Sequence, residues 1–105
     1  MKCFIALCTV SFAGICHSQT TSGNELHRWL LNPDSEVGVS YVMAVLETEV
    51  ALTGGMVFCP PKGATKAQTW DVVEKYLIDK PEERHKPAPT LVLTAMNKAF
   101  PCGKP

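Results

Sequence analysis

The sequence predicts an all-α protein, a small four-helix bundle with one disulfide, behind an N-terminal signal peptide. Three observations carry this. Apolar residues recur at three- and four-residue spacings in four separate segments. Capping-box pairs stand at two helix starts, Ser22 with Glu25 and Thr65 with Gln68. Two cysteines, Cys59 and Cys102, bracket the best-patterned half of the chain.

The chain has 105 residues, room for one small domain. Its formal net charge is zero, and the 19% of charged residues are scattered with both signs mixed. That excludes a nucleic-acid partner, whose phosphates need a clustered Lys/Arg face. At the N-terminus, Lys2 precedes an uncharged, mainly apolar run of 14 residues, Cys3 to Cys16. A membrane span needs roughly 20 residues. The run therefore reads as the apolar part of a secretion signal, and the small residues Cys16 and Ser18 suit cleavage before Gln19. Lipidation at Cys16 fits poorly, because Ile15 stands where a small residue is required. The expected division is a signal peptide at 1–18 and a helical domain at 19–105. The mature protein is expected in the periplasm, with no membrane attachment.

Loss of 1–18 removes Cys3, Cys8 and Cys16 and leaves Cys59 and Cys102. A mature chain of this size has a modest core for its surface. A disulfide suits that size and an oxidising compartment; two unpaired thiols are the alternative. Closing the loop from 59 to 102 would contribute about 4 kcal/mol on the chain-entropy model. That is comparable with the whole stability of a small domain.

The first helix starts behind Ser22, carries Leu26, Trp29 and Leu30 on one face, and stops near Asn32 because Pro33 follows. Asp34 or Ser35 can cap the second. Its apolar stripe is Tyr41, Val42, Val45, Leu46, Val50 and Ala51, with Glu47 and Glu49 on the outer side. Its many β-branched residues raise a strand alternative, but period-2 alternation is poor and the run is too long. Gly54-Gly55 ends it. Residues 56–64 form a loop, since Pro60-Pro61 fits neither helix nor central strand. Thr65 and Gln68 open the third helix, where Trp70, Val73 and Leu77 share a face and Asp71, Glu74, Lys75 and Asp79 lie outside. Pro81 begins a single turn, with Glu82 and Glu83 placed to favour its dipole. Pro87 and Pro89 suit the first turn of a fourth helix. Leu91, Val92, Ala95, Met96 and Ala99 form its buried stripe.

No catalytic constellation stands out. His27 and His85 lack a free nucleophile nearby. Gly54-Gly55 has no Walker lysine. No Cys-x-x-Cys or paired-His spacing supports a metal. Trp29 and Trp70 read as core. The chain is expected to be a binding protein rather than an enzyme, with neither cofactor nor metal.

A set of motifs adds to this. Gly23-Asn24-Glu25-Leu26-His27-Arg28-Trp29 opens the first helix, and Tyr41-Val42-Met43-Ala44-Val45 lies in the second. Cys59, Pro61, Gly63, Thr65 and Gln68 form a Cys-x-Pro-x-Gly-x-Thr-x-x-Gln pattern. Val73, Lys75, Tyr76 and Leu77 follow, then Pro81-Glu82, Ala88 to Val92, and Ala99-Phe100-Pro101-Cys102. In order and spacing, across nearly all of 22–102, the chain resembles the Tai-type family of small periplasmic immunity proteins. These protect bacteria from peptidoglycan amidase toxins delivered by type VI secretion. Many relatives carry two further cysteines, near the places held here by Leu30 and Gly38. The resemblance implies a helical homodimer that plugs the cleft of a cysteine amidase. A few buried anchors suffice for that. The protruding candidates are the loop with Gly55, Met56, Val57, Phe58, Pro60, Pro61 and Lys62, and the turn with Asp79, Lys80, Glu82, Glu83, Arg84 and His85. Two other readings share the layout: a small acid-activated periplasmic chaperone, or an adaptor of a cell-wall enzyme.

Overall fold

Ser22 starts the first helix as its spacing requires. In the computed structural model, which describes residues 20–32 and 36–103, Ser22 Oγ accepts a hydrogen bond from the Glu25 amide at 3.2 Å. Helix α1 spans Gly23–Leu30. Helix α2 spans Val37–Thr53 and begins at Glu36 without a side-chain cap. The expected stop at Pro33, the expected caps Asp34 and Ser35, and the signal peptide at 1–18 lie outside the described residues. Gly54 ends α2 in the left-handed region, φ 78°, its amide bonded to the Val50 carbonyl. Glycine adopts that conformation without the Cβ penalty other residues carry.

Helix α3, Lys66–Asp79, opens with a complete capping box. The Gln68 amide donates to Thr65 Oγ1 at 3.1 Å, and the Thr65 amide donates to Gln68 Oε1 at 2.8 Å. A 3-10 turn at Pro81–Glu83 leads to α4, Ala88–Ala99. Among the described residues these four helices and one turn are the regular elements, with no strand. This is the all-α bundle that the periodicity predicts.

Helix α4 is the central element and touches the other three. Ala88, Leu91, Val92, Ala95 and Met96 are buried along it, facing Leu26 and Leu30 of α1, Val42 and Leu46 of α2, and Val73 and Leu77 of α3. Ala99, expected in this stripe, is exposed. Cys59 and Cys102 form the disulfide, with Cα atoms 5.0 Å apart. Beside it the Cys59 amide donates to the Phe100 carbonyl at 2.8 Å. The long 56–64 connection is thus held to the end of α4.

The opposite end of α4 is held by backbone pairing. The Gly23 and Asn24 amides donate to the Lys86 and Arg84 carbonyls at 2.9 and 2.8 Å, and the Ala88 amide donates to the Thr21 carbonyl at 2.7 Å. The first amides of α1 would otherwise be orphaned. A Cβ on Gly23 would lie 2.8 Å from the Arg84 carbonyl oxygen and would also meet Leu91. Leu30 and Gly38 also meet, a Cβ on Gly38 lying 2.8 Å from Leu30 Cδ2. Bare backbone against leucine joins α1 to α2 where relatives are expected to carry cysteines. Trp29 and Tyr41 add an edge-on ring contact, centroids 5.7 Å apart.

Helix α2 departs from expectation in which side faces inward. Val42, Leu46 and Glu49 are buried, at i, i+4 and i+7, while Val50 and Ala51 are exposed. Glu49, expected on the outer side, is 6% exposed. Its helical position, three residues after Leu46 and seven after Val42, puts it on their face.

Gly23→Ala is expected to destabilise the protein by about 1–3 kcal/mol, because it overpacks against backbone. Gly63→Ala, with nothing within 4 Å of its added methyl, is expected to stay within about 0.5 kcal/mol. Urea unfolding of both variants checks this; equal effects would contradict it.

Candidate partner-binding surface

Gly54 and Gly55, both at positive φ, turn the chain out of α2 into the first predicted contact loop. Its hydrogen bonds run back into the fold. The Met56 amide donates to Thr53 Oγ1 and the Val57 amide to Glu49 Oε2, each at 3.3 Å. Asn97 Nδ2 donates to the Val57 carbonyl at 2.6 Å. Phe58 is 8% exposed and belongs to the core. It serves the fold here, and Val57 packs partly against the same core. The side chains left facing outward are Met56, at 76% exposure, with Pro60, Pro61 and Lys62.

The second predicted region, 79–86, is more deeply engaged in the structure. Arg84 Nε donates to the Leu77 carbonyl at 2.7 Å. Lys86 pairs with Glu83 at 2.6 Å and Lys75 with Asp79 at 2.6 Å. The bond from Lys86 holds the Glu83 carboxyl below its usual range and raises Lys86 in return. Two carbonyls of this turn are already taken by α1. Lys80, Glu82 and His85 remain exposed. The structure does not bring the two regions together. Residues 84–86 lead into the start of α4 and the first loop is tied to its end by Cys102, while Asp79 and Lys80 line a cleft with Ala95, Lys98 and Ala99 of the same helix.

Between those ends lies a surface that the sequence reading missed. A groove of about 450 Å³ runs between α2 and α4, walled by Tyr41, Val45, Leu52, Val57, Pro89 and Leu93, with Glu49 at its side. Leu52 on its rim is 79% exposed. The available signal was the composition of α2. Its apolar residues surround the helix instead of filling one stripe, and a surface helix ordinarily carries a polar opposite face. A helix apolar all round cannot be buried on all sides by three short neighbours.

The described residues offer little chemistry. They contain no group of three or more His, Cys, Asp or Glu able to hold a metal ion. Both described cysteines are in the disulfide. No described helix is long and apolar enough to cross a membrane. His27 is half-buried on α1, and His85 lies exposed in the turn.

Comparison with known proteins decides the family. A family model of Rap1a immunity proteins matches residues 13–102. The chain belongs to the Rap1a immunity protein family. No curated protein and no solved structure matches it. Membership in the Rap1a family implies a toxin as the binding partner.

One titratable group reports on how α1 of this Rap1a family member is seated. Burial lowers the pKa of His27 below 6.5, the Arg84 charge lowers it further, and Glu74 opposes both. With the folded pKa depressed, the unfolded chain takes up the proton first. The stability contributed by neutral His27 is complete above pH 6.5 and is lost as pH falls through the folded value. NMR titration is expected to place the His27 midpoint below 6.5. Stability is expected to rise with pH between that midpoint and about 6.5, and His27→Gln to flatten the slope. A midpoint at or above 6.5 would contradict this seating.

Proposed function

We propose that the protein is a Tai-type periplasmic immunity protein that binds a type VI-secreted peptidoglycan amidase and occludes its active-site cleft. The observation that carries this reading is the immunity-family match across residues 13–102. The motif resemblance across 22–102 supports the finer assignment to amidase toxins. A disulfide is in keeping with an oxidising compartment, and so with the periplasm. Occlusion requires shape and desolvated anchors rather than catalysis. The exposed apolar residues Leu31, Val37, Val50, Leu52 and Met56 give this small domain contact area that its own core does not use.

Of the two predicted contact regions, the loop with Met56, Pro60, Pro61 and Lys62 is the favoured plug. It is tethered by the disulfide and by Asn97, so little conformational entropy is lost on docking. The 79–86 turn is the secondary contact, through Lys80, Glu82 and His85. A homodimer fits the uncovered apolar area of α2 and would present two loops.

The test is a binding and cell-wall hydrolysis assay of oxidised 19–105 with amidase toxins of the type VI class. A nanomolar complex that stops hydrolysis is expected. Met56→Glu or Lys62→Glu is expected to weaken it about 10- to 100-fold, in the range of interface anchors. Glu82→Lys is expected to act less. Failure to bind any such amidase, with the disulfide intact, would overturn the reading.

A further inference from the structure

A second cleft, of about 280 Å³, lies where the ends of α3 and α4 come together. Its wall is apolar, built by Val72, Tyr76 and Ala95, and its rim is cationic, with Lys75, Lys80 and Lys98. All three lysines are exposed, so they are within reach of a partner. Asp79 is the one acidic residue lining the cleft, and it answers Lys75 at 2.6 Å. Lys80 and Lys98 form no ion pair among the described residues; the Lys80 charge acts on Glu83 only from a distance. Helices α3 and α4 both end here, and each C-terminus contributes about half an elementary negative charge. Two unpaired full cations exceed that, so the cleft stays net positive.

We propose that this cleft receives an aspartate or glutamate of the toxin, its carboxylate accepting from Lys80 and Lys98 and an apolar neighbour of that residue lying against Val72 and Tyr76. The proposal rests on the immunity reading and deepens it, by naming the chemistry that the protein recognises on its partner. Charge complementarity selects the occupant: uncompensated cations beside an apolar wall answer to an anion carried on an apolar surface. A free anion would meet only solvated ammonium groups, and exposed ion pairs alone contribute little. A protein segment adds the apolar contact and excludes water from the pair. The cleft also adjoins the favoured plug. Lys98 follows Asn97, whose side chain holds the Val57 carbonyl, and Cys102 beyond it is bonded to Cys59. One acidic toxin surface can therefore engage the cleft together with the exposed Lys62 of the loop.

Two measurements test this. In the first, ¹⁵N-labelled protein is titrated with hexanoate, hexanol and hexylammonium. Hexanoate is expected to shift the Tyr76, Lys80 and Lys98 amides and to bind about threefold more tightly than either other probe. The double variant Lys80→Gln, Lys98→Gln is expected to erase that preference. Equal binding of the three probes, shifts centred elsewhere, or a preference that survives the double variant would overturn the proposal. In the second, Lys80→Glu and Lys98→Glu are assayed against the amidase that the wild type neutralises. Each is expected to weaken binding about tenfold, chiefly by slower association, and to reduce the loss of affinity with added salt. The thermal midpoint is expected to stay nearly unchanged, because both side chains are exposed. Arg28→Glu, the same charge change on α1 outside the cleft, is expected to stay within about twofold of the wild type. Undiminished affinity in both cleft variants, or an equal loss in Arg28→Glu, would overturn the cleft while leaving the immunity reading intact. Should the wild type bind no amidase, the immunity reading fails and the toxin fails with it as occupant, and the probe titration still decides whether the cleft selects a carboxylate.

Discussion

The close approach of bare backbone at Gly23 is the constraint on which the rest of the fold depends. Because that residue has no Cβ, the start of α1 lies directly on the chain at 84–86. Its first amides find carbonyls there instead of water. The same contact fixes where Ala88 begins α4, through the Thr21 carbonyl. Helix α4 then carries its buried stripe toward the disulfide, which binds its far end to the loop after α2. One hydrogen-bonded clamp and one covalent clamp thus hold the two ends of a single central helix. A domain with so small a core gains much from two such restraints.

That arrangement has a consequence for α2. It packs on α4 with one face and is joined to α1 through Leu30 and Gly38, and a further flank, with Met43, Glu47 and Val50, shares a cleft with Thr69 of α3. Val37, Val50 and Leu52 stay exposed, and Glu49 lies buried beside a groove with one oxygen unpaired. Stability alone does not call for either feature. An apolar flank is a cost in the free protein that a partner can offset. The turn at 79–86 differs, because its carbonyls, its arginine and its ion pair already serve the bundle. The two regions, both proline-bearing links between helices, are therefore unequal as contact surfaces.

Local features were the most legible part of the sequence. Ser22–Glu25 and Thr65–Gln68 mark helix starts because capping chemistry acts over three residues. Gly54 marks a helix end because only a residue tolerant of positive φ fits there. Cys59 and Cys102 paired as composition suggested. What escaped depended on the third dimension. Glu49 was assigned outward by its charge, whereas its angular position puts it inward with Leu46. Phe58 was read as an exposed loop residue, but the tether at Cys59 and Asn97 turns it into the core. The groove needs Pro89 and Leu93 to meet Tyr41 and Leu52 across two helices, and no local pattern encodes that meeting. In the sequence Gly23 stands only as the first residue of a motif. Its reason, a carbonyl 2.8 Å from where a methyl would be, belongs to the folded chain alone.

The central claim is a division of labour: the Gly23 clamp and α4 hold the fold, and the α2 flank with its adjoining loop meets the toxin. Hydrogen exchange of the protein, alone and bound to an amidase it neutralises, tests this most directly. The account predicts that the Gly23, Asn24 and Ala88 amides are already protected in the free protein and change little on binding. It predicts that new protection falls on Leu52 through Lys62. Protection gained instead at 79–86 and along α3, with residues 52–62 unchanged, would contradict it.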